Sequence, residues 1–130
     1  MEKKYLLDSN IVIDYLYDQI PSYRIEEMEN IFQNSFQMSI VSEIEILGWK
    51  KILTDRKISI EEVEEILGTA KIFEVNQKIK QKAIELKQIY QTPTVDAIIA
   101  ATAIIYELTL VSKNMKDFIR IEELSFFSPY

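Results

Sequence analysis

Short apolar segments alternate along the chain with longer segments in which apolar and polar residues recur at helical spacing. The short runs predict strands at residues 5–7, 36–41, 71–75, 108–111 and 125–127. Between them, apolar residues repeat every three to four positions, which predicts helices with one buried face. These helices are expected to begin near residues 9, 25, 42, 59, 76 and 92, with a turn or short helix at 114–118.

The predicted strands are apolar throughout rather than alternating, which is typical of a parallel sheet buried on both faces. The succession of strands and helices therefore predicts an α/β fold. A chain of 130 residues without repeats, linkers or low-complexity stretches is expected to form one domain over residues 1–130. Because only two glycines are present, Gly48 and Gly68, a glycine-rich phosphate-binding loop is excluded.

The segment TPTVDAIIAAT at residues 92–102 predicts a buried helix on which the rest of the fold is organised. Thr92 is expected to cap this helix and Pro93 to fit its first turn. The alanines of the segment make the helix thin enough to pack closely on a neighbouring element. Asp96 falls in the first turn, where the helix dipole favours an acid by roughly 0.3–1 kcal/mol.

Two other predicted helices begin with a serine followed three residues later by a glutamate, which is the capping-box pattern. Ser42 is expected to cap one helix with Glu45 as its partner, and Ser59 to cap the other with Glu62. The buried side of the first of these helices is expected to consist of Ile44, Leu47 and Ile52.

The composition narrows the possible chemistry. The chain has neither cysteine nor histidine, which excludes a thiolate zinc site, a cysteine nucleophile and a histidine-based triad. Its net charge of −6 is unusual for a nucleic-acid binder, so a nucleic-acid substrate would require a bound cation. Asp8 interrupts the first apolar run, so we expect no signal peptide. The longest apolar run, 97–106, is too short to span a bilayer. We therefore expect a cytoplasmic protein, with which the absence of cysteine is compatible.

Five polar residues fall near the carboxyl ends of the predicted strands, where open parallel sheets bind their ligands. They are Asp8 at the end of the first strand, Glu45 and Asp96 in the first turns of two helices, and Asn114 and Asp117 after the fourth strand. Taken singly, each acid has a simpler explanation as a strand-end acid, a cap, a dipole acid or a surface acid. Their common topological position instead indicates one carboxylate crevice.

Grouped carboxylates repel each other, since two charges about 4 Å apart cost roughly 4 kcal/mol at an effective dielectric constant near 20. A divalent cation would neutralise such a group, and oxygen ligands without histidine or cysteine select hard ions such as Mg²⁺ or Mn²⁺. These ions lower the pKa of a bound water and stabilise charge that develops on a phosphoryl group. The acids therefore predict metal-dependent phosphodiester hydrolysis.

Four segments, taken in order, resemble the motifs of the PIN-domain ribonucleases, and most closely those of the VapC-type toxins of toxin–antitoxin pairs. The segments are LLDSNIVIDYL (6–16), SIVSEIE (39–45), PTVDAIIAATA (93–103) and LTLVSKNMKDF (108–118). They span essentially the whole chain, and the third is the most specific. The resemblance implies a PIN-like three-layer sandwich, with four to five parallel strands in the order 3-2-1-4-5 and helices on both faces.

The resemblance also implies which residues form the site. Asp8, Glu45 and Asp96 occupy the three main acidic positions of the family, which implies that they are catalytic and bind the metal. Ser9 and Asn10 occupy the polar positions of the first motif, which implies that they orient Asp8.

The fourth position of the implied site is open between two residues. Asn114 stands where many family members carry Asp or Asn, and Asp117 stands where a second acid often follows. Both are candidate metal ligands, and Asp117 is the better candidate for the remaining catalytic charge. Glu43 is a rival to Glu45, because the two lie about 200° apart round a helix and cannot both face the crevice.

Two charged residues near these motifs, Asp14 and Lys113, are expected at the protein surface. Asp14 is expected at the surface, although it could line the rim of the crevice. Lys113 could approach a phosphate, although an exposed turn lysine is the simpler expectation.

The leading interpretation is thus a Mg²⁺- or Mn²⁺-dependent endoribonuclease, the toxin of a type II toxin–antitoxin pair. The resemblance implies an RNA substrate, a cognate antitoxin and a homodimer. An alternative is an inactive PIN-like binding module whose acidic crevice holds a basic protein segment, which Asn114 and the pI of about 4.8 favour. A weaker alternative, a phosphoacceptor receiver domain, lacks the acidic pair after the first strand and the acceptor Asp after the third.

Overall fold

Five parallel strands form one sheet, with helices packed on both of its faces. The computed structural model describes residues 3–34, 36–49, 54 and 57–130. Its strands are β1 (Tyr5–Leu7), β2 (Gln37–Ser39), β3 (Lys71–Phe73), β4 (Thr109–Val111) and β5 (Ser125–Phe127). Its helices are α1 (Ser9–Leu16), α2 (Ile25–Gln33), α3 (Ile40–Leu47), α4 (Ile60–Gly68), α5 (Gln77–Tyr90), α6 (Thr94–Ile105) and α7 (Met115–Phe118). Within these described ranges, no helix has both the length and the apolar character needed to cross a bilayer.

The strands run in the order β3-β2-β1-β4-β5, which confirms the order implied by the family resemblance. β1 is central, since Leu6 pairs with Gln37 on one side and with Leu110 on the other. The chain continues from β1 to β2 on one side and later returns to β4 on the other. The strand order therefore reverses beside β1, and a crevice is expected at the carboxyl ends of β1 and β4.

Each face of the sheet has its own apolar core. Leu6 and Leu7 are completely buried and point to opposite faces, because successive side chains of a strand alternate. Leu7 belongs to a cluster with Ile11 of α1 and Met28 of α2. Leu6 belongs to a second cluster that includes Ile79 of α5. These two cores produce the predicted three-layer arrangement.

The predicted buried helix is α6. Its completely buried alanines let it pack closely in the second core, and they are Ala97, Ala100, Ala101 and Ala103. The predicted cap is wrong, because the residue before the helix is Pro93, which is extended and makes no side-chain cap. The helix begins at Thr94, so the Thr92 hydroxyl lies too far back to cap it. That hydroxyl is instead buried, and it has no hydrogen-bond partner among the described residues.

The start of α3 also differs from the prediction. β2 ends at Ser39, and the Ser39 hydroxyl accepts a hydrogen bond from the Val41 amide at 3.2 Å and so caps the helix. Ser42 therefore lies inside the helix, where its buried hydroxyl has no partner within the described part of the chain. The predicted capping box of Ser42 and Glu45 is wrong, and Glu45 lies in the second turn rather than the first.

This earlier start goes with a different buried side of α3. Ser42 and Ile46 are completely buried, whereas Ile44 and Leu47 are 62% and 40% exposed, contrary to the prediction. Ile44 lies two residues from both Ser42 and Ile46, which is about 200° round the helix, so it faces away from the side of α3 that packs on the fold. The third residue of the predicted side, Ile52, lies outside the described residues.

Other predicted helix starts agree with the structure. Ser59 caps α4, and its hydroxyl accepts a hydrogen bond from the Glu62 amide at 3.2 Å. Asn76 caps α5 by accepting from the Ile79 amide at 2.9 Å. These caps join atoms only three residues apart, which is why the sequence spacing is sufficient to predict them.

Candidate metal and active site

Asp8 is the centre of a hydrogen-bond network at the carboxyl end of β1. It is only 5% exposed, and its amide still belongs to the sheet, donating to the Val111 carbonyl at 3.0 Å. One carboxylate oxygen accepts from the Ser9 amide at 2.8 Å, and the other from the Ser112 hydroxyl at 2.7 Å. Burial raises the pKa of Asp8, while these two hydrogen bonds lower it. Both carboxylate oxygens are therefore fixed in position.

Ser112 belongs to this network, although the sequence motifs do not assign it to the site. It is completely buried directly after β4, and its hydroxyl also accepts a hydrogen bond from the Asn114 amide at 3.0 Å. Its position is the signal that could have identified it, since a hydroxyl after β4 stands beside the carboxylate that follows β1. Ser112 thus ties the turn after β4 to Asp8.

Glu45 reaches the same network from α3. The Ser9 hydroxyl donates to Glu45 Oε1 at 3.2 Å. Burial and the negative charge of Asp8 raise the pKa of Glu45, and the hydrogen bond from Ser9 lowers it. Glu43 instead lines a separate cavity beside Phe73. The structure therefore places Glu45, and not Glu43, beside Asp8, while a metal-binding role for Glu45 stays a prediction.

Asp96 adds a further carboxylate from the first turn of α6. Its pKa is raised to about 6, first by burial and then by the negative charges of Asp8, Asp117 and Glu45. Charges that are separated by more than about 8–10 Å in water are largely screened at physiological salt. Three acids from separate segments of the chain therefore influence the carboxylate of Asp96.

The two candidates for the fourth position, Asn114 and Asp117, are hydrogen-bonded to each other. Asn114 Nδ2 donates to Asp117 Oδ2 at 2.8 Å at the start of α7. Asp117 is the one whose charge acts on Asp96. The amide of Asn114 thus orients Asp117, and the pair brings one negative charge to the region.

The two polar residues of the first motif have different positions. Ser9 contacts Asp8 through its amide and Glu45 through its hydroxyl, as expected of a residue that orients the acids. The Asn10 side chain, by contrast, forms its hydrogen bond with Lys113 rather than with Asp8. Its Oδ1 accepts from the Lys113 amide at 3.4 Å, so Asn10 holds the turn after β4 instead.

A hard divalent cation fits the donors of this region. Within the described ranges, no group of three or more acids is arranged as a ready-made cage for an ion. Mg²⁺ does not require such a cage, because it usually keeps several waters and binds directly to one or two carboxylates. Asp8 and Asp96 are oxygen donors whose mutual repulsion a cation would relieve.

Replacing Ser112 with Ala is expected to destabilise the fold by about 1.5–3 kcal/mol at neutral pH, because it removes a buried hydrogen bond to a carboxylate. Thermal unfolding in EDTA measures this change. Ser125→Ala is the control, since it removes a hydroxyl that is 3.0 Å from the neutral Thr109 hydroxyl and is expected to cost about 0.5–1.5 kcal/mol. Equal losses in the two variants would contradict a special role for the bond to Asp8.

The comparisons with known proteins agree with the sequence motifs. The model of the PIN domain family matches residues 5–124. The chain therefore belongs to the PIN-domain family, whose members are generally nucleases. The resemblance stated from the four motifs is confirmed. The comparison with curated proteins finds no match.

Solved structures with this fold include chains from toxin–antitoxin complexes. A chain of a toxin–antitoxin complex from Klebsiella pneumoniae is 28% identical, with a TM-score of 0.77 and 98% of each chain covered. A chain of DNA-bound VapBC from Salmonella typhimurium is 18% identical, with a TM-score of 0.81, and the match covers 99% of this chain and 100% of that one. For VapBC2 from Rickettsia felis bound to a promoter DNA fragment, the identity is 22%, the TM-score 0.78 and the coverage 95% and 97%.

Proposed function

We propose that this chain is a Mg²⁺- or Mn²⁺-dependent endoribonuclease, the toxin of a type II toxin–antitoxin pair. The observation that carries the proposal is the hydrogen-bond network that joins Asp8 to Ser112 and, through Ser9, to Glu45. Burial and the negative charges of Asp8, Asp117 and Glu45 raise the pKa of Asp96 to about 6, which adds a fourth acid to this network. Four carboxylates in one crevice repel each other unless a cation neutralises them. Membership in a family of nucleases makes metal-dependent phosphodiester hydrolysis the reaction that best uses such a site.

In this proposal, Asp8 and Asp96 bind the cation directly. Glu45 and Asp117 complete the site through the water ligands of the cation, and Asn114 orients Asp117 while its carbonyl oxygen is a further candidate ligand. Mg²⁺ or Mn²⁺ bound there would lower the pKa of a water and stabilise charge on the phosphoryl oxygens. Asp8 presents the most rigid ligand, because both of its oxygens are hydrogen-bonded.

The same cation would explain how an acidic protein binds a negatively charged RNA. The chain carries a net charge of −6, so its bulk electrostatics oppose the approach of RNA. A divalent cation at the crevice would offset two of its four negative charges and would offer the phosphoryl oxygens a positive ion to bind. RNA would then be attracted at the site rather than by the surface as a whole.

We further propose that the chain binds a cognate antitoxin and forms a homodimer, as the family resemblance implies. The Klebsiella pneumoniae structure, which is 28% identical over 98% of this chain, is a toxin–antitoxin complex. A basic side chain of an antitoxin would fit the crevice, because it would neutralise the same carboxylates that the cation neutralises.

A second candidate function is a binding module whose acidic crevice holds a basic protein segment. Asn114 favours it, because an amide at the fourth position leaves the site with one charge fewer than an acid would. The net charge of −6 favours it as well. This function would require no metal.

The test measures cleavage of a mixed-sequence RNA pool in Mn²⁺ and in EDTA by wild type, Glu45→Gln and Glu43→Gln. Wild type is expected to cleave only with metal. Glu45→Gln is expected to be slower by about 10–100-fold, because a carboxylate that supports the metal is lost. Glu43→Gln is the matched control and is expected to cleave normally, since its side chain lines another cavity.

Two outcomes would contradict this proposal in different ways. Equal losses in the two glutamate variants would contradict the placement of Glu45 in the site. A wild type that cleaves no RNA with any metal, yet binds a cationic peptide in EDTA, would instead favour the binding module.

A further inference from the structure

A basic side chain belongs to the turn after β4, which the Ser112 hydroxyl ties to Asp8. Lys113 follows Ser112 directly, and its amide donates to Asn10 Oδ1 at 3.4 Å, which ties its backbone to α1. Its ammonium lies 3.5 Å from Asp14 Oδ2 and 5.1 Å from the centre of the Tyr130 ring. The side chain is still 57% exposed, so it can donate to a molecule in solvent.

Tyr130 forms a cluster with Lys113 and Asp14. Its hydroxyl donates to Asp14 Oδ2, the same oxygen that the Lys113 ammonium approaches. Burial and the hydrogen bond to Asp14 raise the pKa of Tyr130, so its phenol stays a donor. Asp14 is mostly buried, with 16% of its side chain exposed. One carboxylate oxygen thus serves two donors, and it neutralises Lys113 only in part.

We propose that Lys113 contacts an RNA backbone phosphate next to the cleaved one, and that Tyr130 positions Lys113 for this contact through Asp14. This inference rests on the proposed ribonuclease function. Asp14 comes six residues after Asp8 along α1, which corresponds to about 9 Å along the helix axis. Lys113 directly follows Ser112, whose hydroxyl donates to Asp8, so its backbone lies beside the proposed cation site. Its ammonium lies at Asp14, more than one helical turn farther along α1, so it would reach a flanking phosphate rather than the scissile one.

The contacts of Lys113 suit an exchangeable partner better than a permanent ion pair. The face of the Tyr130 ring attracts the ammonium without using any of its three protons. The phenol occupies the Asp14 oxygen that would otherwise pair more closely with the ammonium. Without the Tyr130 hydroxyl, Asp14 would draw Lys113 away from the phosphate, so Tyr130 acts through Lys113.

The experiment measures binding of a fluorescent single-stranded RNA in Mg²⁺ at a series of KCl concentrations. It uses the Asp117→Asn chain, which keeps the proposed direct ligands Asp8 and Asp96 and is expected to cleave the RNA more slowly. Lys113→Gln is expected to weaken binding about tenfold and to reduce the slope of log K against log salt by about 0.7, because one phosphate contact is lost. Lys113→Arg keeps the charge and is expected to preserve the slope.

Tyr130→Phe keeps the ring and every charge, so it separates positioning from charge. It is expected to weaken binding about threefold to fivefold without changing the salt slope, since the phosphate contact is weakened but not removed. When combined with Lys113→Gln, it is expected to add no further loss. A merely structural role of Tyr130 would add its loss in both backgrounds.

Two matched controls are available among the helices that cover the other face of the sheet. Lys80→Gln removes an exposed charge from α5. Tyr106→Phe removes a hydroxyl that accepts a hydrogen bond from Asn76 Nδ2 at 2.8 Å. Tyr106→Phe is expected to leave RNA binding unchanged. Lys80→Gln is expected to weaken RNA binding only by the small amount that the loss of one positive charge from the whole protein causes.

The outcomes separate this inference from the proposed function. The inference would be overturned if Lys113→Gln bound RNA with the affinity and salt slope of the chain that keeps Lys113. It would also be overturned if Tyr130→Phe weakened RNA binding equally in the presence of Lys113 and in the Lys113→Gln variant. Either result would count even if wild type cleaves RNA with Mn²⁺. A wild type that does not cleave would overturn the ribonuclease function, whereas the binding series alone decides the role of Lys113. RNA that does not bind at low salt would overturn the inference as well.

Discussion

Replacing Asp96 with Asn is expected to slow RNA cleavage about a thousandfold and, at the same time, to stabilise the metal-free protein. The rate falls because the cation would lose a charged ligand, and about 4 kcal/mol of lost transition-state stabilisation corresponds to a factor of about a thousand. Asn has nearly the shape of Asp, so the loss reports the charge rather than the packing. Cleavage of a mixed-sequence RNA pool at saturating Mn²⁺ measures it.

The gain in stability follows from the titration of Asp96. Its pKa is raised from the ordinary 3.8 to about 6, so the folded protein holds this proton more tightly than the unfolded chain does. The resulting stabilisation is complete below about pH 4 and is lost as the pH rises through about 6. A shift of this size equals about 3 kcal/mol for a fully buried group, and we discount it to about 1 kcal/mol because Asp96 is partly exposed.

The melting temperature in EDTA between pH 4 and pH 8 measures this effect. Asp96→Asn is expected to melt about 3–5 °C above wild type at pH 8, and the difference is expected to shrink with falling pH and vanish near pH 4. Asp18→Asn is the control, because Asp18 is an exposed acid with a φ of 56°, a conformation that Asn also accepts. Normal cleavage by Asp96→Asn would mean that Asp96 is not a ligand.

Adding Mn²⁺ or Mg²⁺ to the metal-free wild type is expected to raise its melting temperature by several degrees, and Asp8→Asn is expected to remove most of this rise. Free cation at about 100 times its Kd stabilises the folded state by roughly 2.7 kcal/mol. Asp8 is decisive because Ser9 and Ser112 hold both of its oxygens in place. A thermal titration measures the effect without knowledge of the RNA target.

The quantity to compare is the metal-induced shift, since Asp8→Asn also changes the cap of α1 and therefore the starting melting temperature. Glu43→Gln is the control and is expected to keep the full shift. An equal shift in wild type and Asp8→Asn would place the cation elsewhere. The absence of a shift in both would favour the binding module, because carboxylates that hold no cation cannot carry out this reaction.

Helix starts show where local patterns are sufficient. The cap of α4 joins Ser59 to an amide three residues away, and its prediction is confirmed. The predicted cap of α3 at Ser42 is wrong, because the apolar residues before Ser42 suit a strand by pattern although they form the first turn of the helix. The pairing of β2 with its neighbours ends at Ser39, and this pairing decides where the helix begins.

The sequence by itself determined the family and the α/β class, and it named the acids proposed for the site, because periodicity and short motifs carry this information. Only the tertiary structure decided that Glu45 rather than Glu43 lies beside Asp8, and that Ser112 is bonded to Asp8 across 104 residues of chain. It alone also brought Tyr130 to Asp14, 116 residues apart. Contacts over such separations depend on which strands pair and on the side that each helix turns to the sheet, and local residue patterns do not encode either.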